Sequence, residues 1–216
     1  RIRGTDASRI NVTMDGIPLN DPESQQVFWV DIPDLASSVD NIQVQRGAGT
    51  STNGAGAFGA TVNMQTINPG NEPFARISTS LGSFNTSRKM FAAGSGLLAD
   101  RFAFQIRLSD MKSDGYVDRT GSDHQSAFIN AAFRTARSFL KANIFLGEEH
   151  TEIGWWGVPL EILSVNRKYN PAGEYTDEND IVQYYDNESD NYNQNHYQLF
   201  YDLRFNNSLS LSTAFH

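Results

Sequence analysis

"FAFQIRLSD", Phe102 to Asp110, places Phe102, Phe104, Ile106 and Leu108 at alternate positions, with Ala103, Gln105, Arg107 and Ser109 between them. Successive side chains of a strand point to opposite faces, so this spacing predicts a strand that is greasy on one side and polar on the other. The same pattern recurs on both sides of it. Ala75, Ile77, Thr79 and Leu81 oppose Arg76, Ser78 and Ser80, and Ala127, Ile129, Ala131 and Phe133 oppose Phe128, Asn130, Ala132 and Arg134. Leu140, Ala142, Ile144 and Leu146 oppose Lys141, Asn143 and Phe145. Later, Tyr197, Leu199, Tyr201, Leu203 and Phe205 oppose His196, Gln198, Phe200, Asp202 and Arg204, and Leu209, Leu211, Thr213 and Phe215 oppose Ser208, Ser210 and Ser212. A weaker segment, Lys89 to Leu97, is interrupted by Gly94 and Gly96. Each run is about 8 to 11 residues, the length at which a tilted strand crosses a bilayer.

The connections sort by length. Leu98 to Arg101, Thr135 to Ser138 and Asn206 to Ser208 are short; Gly82 to Arg88 is moderate, Lys112 to Gln125 long and Thr151 to Asn195 very long. Short turns at one end and long loops at the other are a habit of outer-membrane barrels. Arg76, Arg107, Lys141 and Arg204 all fall on the polar face. A packed sandwich core would bury them at considerable cost, and a wet barrel lumen removes that cost.

Composition narrows the class further. No stretch of the 216 residues approaches the roughly 20 apolar residues of a membrane helix, and Arg1-Ile2-Arg3-Gly4 lacks the apolar run of a signal peptide. A formal net charge of -8 argues against nucleic acid as a partner, which calls for a basic footprint. The absence of cysteine excludes disulfide frameworks, thiol catalysis and thiolate metal sites.

Residues 1 to about 70 follow another pattern. Ile10-Asn11-Val12-Thr13-Met14 alternates into the turn signal Asp15-Gly16, and Ile17 to Pro22 reads as loop. Asp34 is placed to cap a short helix through Leu35, Ala36 and Val39, after which Ile42, Val44 and Arg46 suggest a strand. "GAGAFG", Gly54 to Gly59, has the glycine spacing of a dinucleotide cradle, but the strand-like Ala60-Thr61-Val62-Asn63-Met64 follows it where a helix is needed. Close backbone packing is the better reading of these glycines. Short strands with one small helix suggest a compact α+β domain.

Taken in order, Ile2-Arg3-Gly4, the run Ile10 to Asp21, the run Ile32 to Gly47 and the Gly/Ala/Asn segment closing in Ala60 to Met64 resemble the plug domain of TonB-dependent outer-membrane receptors. The resemblance implies a mainly β chain. Residues 1–70 would be the C-terminal part of the α+β plug, and 71–216 the first strands, about seven in an antiparallel meander, of an incomplete, roughly 22-stranded transmembrane barrel. On this reading the sequence is an internal segment of a longer receptor, without its TonB box, early plug or remaining strands. It implies uptake of a scarce solute such as an iron-siderophore, haem or cobalamin in the outer membrane of a Gram-negative bacterium. The implied partners are TonB, outer-membrane lipid and a small-molecule metal chelate, with no nucleic acid, no cofactor and no enzymatic role.

The same resemblance implies site residues. Arg3 and Arg46 match positions that pair with glutamates of the inner barrel wall and latch the plug, and Gly47, Gly49, Gly54, Gly56 and Gly59 are its tight backbone turns. Asp21, Gln25, Phe28 and Trp29 on the plug, with Trp155, Trp156, Tyr184 and Tyr185 in the long loop, are candidate ligand contacts, since aromatics cover apolar solutes and stack on flat ones. His150 with Glu148 and Glu152, and the run Asp186 to Asn191, read as acidic loop surface, so no metal site is assigned. No G-x-S-x-G elbow supports a hydrolase. The alternatives are a surface adhesin or carbohydrate-binding β module, a glycan-uptake receptor and a passive porin.

Overall fold

Beyond residue 72 the alternating segments form one antiparallel meander. The computed structural model describes residues 2, 4–47 and 58–216. Its large sheet contains β5 (Pro73–Leu81), β6 (Ser87–Ser95), β7 (Phe102–Ser113), β8 (Ser122–Arg134), β9 (Ser138–Glu152), β12 (Ser189–Arg204) and β13 (Ser210–Phe215). Their spatial order follows the chain. Phe102, Phe104 and Leu108 lie exposed on one face of β7, while Ala103, Gln105, Arg107 and Ser109 are buried on the other. In β9 the buried set is Lys141, Asn143, Phe145, Gly147 and Glu149, with Leu140 exposed opposite. The two faces are those of the alternation.

The long strands extend further than the apolar pattern. β8 begins at Ser122 and β12 at Ser189, although Ser122 to Gln125 and Asp190 to Asn195 are polar on both faces. Residues past the greasy band keep pairing with their neighbours but have no lipid-type side chain to announce them. The very long link therefore shrinks to 153–188, and it contains the helix α1 (Leu160–Val165) and a small hairpin of β10 (Glu174–Thr176) and β11 (Val182–Tyr184). Loop sorting is confined to the later strands, since the link 82–86 is no longer than 96–101 on the opposite end.

Gly94 does not break β6. The ring of Phe74 rests on it so closely that an added Cβ would lie 2.5 Å from Phe74 Cε1, and the two residues are direct cross-strand partners.

The first residues build a second sheet, ordered β2-β1-β4-β3, from β1 (Ile10–Met14), β2 (Ile17–Pro18), β3 (Val39–Arg46) and β4 (Ala60–Thr66). Asp15 and Gly16 both have positive φ, at 51° and 83°, which makes the two-residue hairpin and pulls Ile17–Pro18 out of the expected loop into a strand. β1 runs parallel to β4, and β3 antiparallel to it. This sheet packs on the polar face of the large one. The shared core joins Val12, Met14, Leu19, Ile32, Leu35 and Met64 to Phe128 and Phe145, whose ring centroids are 4.5 Å apart on β8 and β9.

The two layers approach each other closely at Gly147. A Cβ there would meet Pro33 Cδ at 2.9 Å and the Asp31 carbonyl at 3.0 Å. Gly147→Val is expected to cost about 1–3 kcal/mol of stability. The readout is a lower temperature for loss of β-sheet circular dichroism, with Gly157→Val, where nothing lies within 4 Å, leaving it unchanged.

Candidate functional site: a charged seam beneath an aromatic vestibule

Where the small sheet meets the wall, the contact is organised by two carboxylates. Asp34 precedes the 3-10 turn Leu35–Ser38 in a left-handed conformation, φ 53° and ψ 28°, and its side chain makes no capping bond. The expected helix is thus a single short turn, and the carboxylate points at the wall. Arg88 Nη2 donates to both its oxygens, at 3.0 and 2.8 Å, Arg107 Nη1 donates at 3.2 Å, and Ser37 Oγ donates at 2.7 Å. Arg107 also donates from Nε to Ser38 Oγ at 2.8 Å and from Nη1 to Ser126 Oγ at 2.9 Å. Arg107 is only 4% exposed. The wet lumen expected around this guanidinium is therefore replaced by the small sheet, whose acid and hydroxyls stand in for water. Arg76 and Arg204 stay exposed.

Burial pushes the Asp34 carboxyl up, but the neighbouring hydroxyls of Ser109 and Ser37, the Arg88 guanidinium and the charge of Arg107 outweigh it and hold it below the ordinary value. Ser109 faces the carboxyl without completing a hydrogen bond to any described residue.

Asp15 repeats the arrangement on β9. Its Oδ2 accepts from Lys141 Nζ at 3.1 Å, Asn143 Nδ2 at 2.8 Å and Thr66 Oγ1 at 2.6 Å, while Oδ1 accepts from the Thr66 amide at 2.9 Å. The positive-φ hairpin that carries Asp15 is what aims it outward from the small sheet. Between the two acids runs a rung of amides, Gln105, Asn130, Asn143 and Gln198, in direct register across β7, β8, β9 and β12. All four are buried. Asn130 donates to Asn143, Asn143 to Gln198 at 3.2 Å, and Gln105 to the Ile67 carbonyl at 3.2 Å.

The candidate ligand contacts fall into two groups. On the small sheet, Asp21 closes its own loop by accepting from the amides of Ser24 at 2.7 Å and Glu23 at 3.1 Å; the Ser24 bond is the main cause holding its carboxyl below the usual range. Gln25 sits at φ 60° and donates to the Pro22 carbonyl. Phe28 and Trp29 are exposed, Trp29 at 52%, where the chain enters the 3-10 turn Trp29–Asp31 that packs on β9 and β12. In the loop, Trp155 is 78% exposed and Trp156 is exposed beside it.

Tyr184 and Tyr185 already have partners. The Arg119 guanidinium lies 3.5 Å over the Tyr184 ring, and Tyr185 stacks on Tyr175 at 4.6 Å. Asn170 ties this loop to 114–121 by donating to the carbonyls of Asp118, Arg119 and Ile153. Among the described residues no ion pair or ring contact joins the two groups.

Of the latch and turn residues, Arg3, Gly49, Gly54 and Gly56 lie outside the described residues. Arg46 is exposed at the end of β3, Gly47 has φ 81°, and a Cβ on Gly59 would fall 2.7 Å from the Arg9 carbonyl. The seam residues Asp15, Asp34, Arg88, Lys141 and Asn143 were not legible as a site. A signal existed in the cations of the polar face, which needed counter-ions once that face was covered.

The TonB-dependent Receptor Plug Domain family matches residues 1–61. Among solved structures, the chain is similar to the ferric-catecholate import receptor Fiu from E. coli K12 in its open form, with 18% identity and a TM-score of 0.70 over 99% of this chain and 32% of that one. It is similar to the siderophore receptor PiuA from Acinetobacter baumannii, with 14% identity and a TM-score of 0.71 over 99% of this chain and 29% of that one. The ferripyoverdine receptor of the outer membrane of Pseudomonas aeruginosa bound to ferripyoverdine gives 17% identity and a TM-score of 0.65, over 94% and 26%. This chain thus spans about a third or less of each. No curated protein matches it.

Asp34→Asn should strand the buried Arg107 charge and cost about 3–5 kcal/mol, seen as a lower unfolding temperature; Asp34→Asn with Arg107→Met should recover part of it. Because the folded-state carboxyl lies below its ordinary 3.8, the stability it contributes is present above that pH and is lost as pH falls through the lower folded value. A pH series of unfolding temperatures should show this acid loss in the wild type, and a smaller one in the double variant.

Proposed function

We propose that this chain is the plug and adjoining barrel wall of a TonB-dependent receptor, and that it works in the outer membrane of a Gram-negative bacterium to admit a scarce solute. The observation that carries this reading is the two-sidedness of the wall. Its outward face displays Phe102, Phe104, Leu108, Leu199 and Leu211 to the surroundings, a band suited to lipid, while its polar face is stoppered through Asp34 and Asp15. A soluble module has no use for an exposed apolar band of that extent.

On this reading residues 1–70 are plug and 71–216 wall, and the role is transport, with no bond made or broken. Seven strands supply about a third of a wall of roughly 22. Arg3 and Arg46 would pair with carboxylates on the strands opposite. Phe28 and Trp29 on the plug apex and Trp155 and Trp156 on the loop would contact the solute, with Asp21 and Gln25 shaping the apex. Tyr184 and Tyr185 would support the rim through Arg119 and Tyr175. Iron-siderophores are the leading solute class, because the ferric-catecholate, siderophore and ferripyoverdine receptors share this fold; haem and cobalamin follow. Energy would come through TonB.

The test is growth of a receptor-deleted strain, complemented with the receptor, on single iron-siderophore, haem or cobalamin sources. Growth on at least one should need both the receptor and TonB, and Trp29→Ala should lower it about tenfold or more, the size of effect expected for removing a buried aromatic anchor. Uptake that persists without TonB would mark a passive pore, and recovery of the protein in a salt-washed soluble fraction would remove the membrane assignment.

A further inference from the structure

The charges of the seam are not balanced along its length. Asp34 faces Arg88 and Arg107, and Asp15 faces Lys141. Toward the outer end the pairing stops. Glu149 on β9 is 2% exposed, and its Oε1 has no hydrogen-bond partner among the described residues. Its other oxygen has only a long contact, 3.4 Å, from Thr151 Oγ1. Asp31, on the turn that presses against Gly147, is also buried, and no ion pair reaches it among the described residues. Asp190 of β12 pairs with Thr151, one inward-facing position beyond the Glu149–Tyr192 pair, and is exposed. The cross-strand partner of Glu149 on β8 is His124, whose Nδ1 is likewise buried without a partner. Burial therefore rises along this acidic end of the seam, from exposed Asp190 to buried Asp31 and Glu149, with exposed Trp29 and Phe28 next to Asp31 in the chain.

We propose that these acids line a recess that binds an organic cation donating several hydrogen bonds, a protonated amine, with Glu149 and Asp31 as its acceptors, Asp190 at its entrance and the Trp29 ring as its apolar wall. An isolated buried carboxylate is costly, and a donating cation removes the cost that the fold leaves uncompensated at Glu149. A bare metal ion is a poorer fit, since among the described residues no three His, Asp or Glu side chains converge as a metal site. Burial and the charge of Asp190 both push the Asp31 carboxyl up, the direction a neighbouring cation would reverse. The inference deepens the proposed function by giving the solute, or the part of it that enters here, a positive charge.

The probe is benzylamine against benzyl alcohol, which match in shape and differ in charge, titrated by calorimetry into the purified receptor that carries this chain. Benzylamine should bind about tenfold or more tightly than the alcohol, the discrimination expected of one charge-assisted hydrogen-bonded contact. Glu149→Gln and Asp31→Asn should each abolish that preference, and the exposed Asp190→Asn should reduce it with no change in unfolding temperature. Asp186→Asn, on the outer loop, should leave it intact. Equal binding of the two probes, or a preference that survives both Glu149→Gln and Asp31→Asn, overturns the recess. That failure is separable from failure of the transport reading, because solute-dependent growth that needs Trp29 and TonB would stand with equal probe binding. Amine preference without any such growth would support the recess alone.

Discussion

A guanidinium buried between two sheets constrains everything around it. Arg107 sits in the middle of β7, buried under the small sheet, and Asp34, Ser38 and Ser126 supply its hydrogen bonds. The carboxylate must arrive from the small sheet, at one height and in one orientation. The left-handed conformation of Asp34 leaves its carboxylate without a bond to the backbone amides of its 3-10 turn, so that it meets Ser37 Oγ on one side and the arginines of the large sheet on the other. Stranding a buried charge is far more expensive than any single apolar contact, so this pair fixes how deep the small sheet can sit. Asp15 and Lys141 fix its rotation, with contacts to β9 in place of β6 and β7. Two anchors on different strands define a seat where one would define a pivot.

How much of this was legible in the sequence depends on whether a residue answers to its neighbours in the chain or to partners far away. The wall strands declared themselves because each alternates between lipid-type and polar side chains. Their outer ends did not, as Asp190 to Asn195 shows, because polar residues on both faces carry no period. Asp15 and Asp34 were read for local work, a turn and a cap. The turn is there, but Asp34 Oδ2 is taken by residues 54 and 73 positions away, a distance no spacing rule covers. Tyr184 and Tyr185 read as free aromatics, and the fold gives them Arg119 and Tyr175, which local sequence cannot pair with them.

The outer end combines stiffness with exposure. Asn170 spends its amide protons on three carbonyls from two loops, and Arg119 donates back to the Asn170 carbonyl while covering Tyr184. Those bonds make the links 114–121 and 153–188 a single body. Trp155, Trp156, Phe28 and Trp29 are then left outside every such contact. Aromatic surface held by such a frame, with no ring or cation partner among the described residues, would lose little conformational entropy if a ligand covered it.

The composition of the seam also determines what it takes to part the two layers. Each polar contact across it, from the Asp15 cluster to the Gln105 bond with Ile67, can be exchanged for water at small net cost, since hydration replaces what is lost. The apolar contacts have no such substitute. Separating Phe128 and Phe145 from Met14, Leu35 and Met64 exposes greasy surface at about 25 cal/mol per Å². Wetting the amide rung of Gln105, Asn130, Asn143 and Gln198 would therefore loosen the fit without releasing it. The work of any larger displacement falls on the aromatic pair, and the two stages follow from which side chains line each part of the interface.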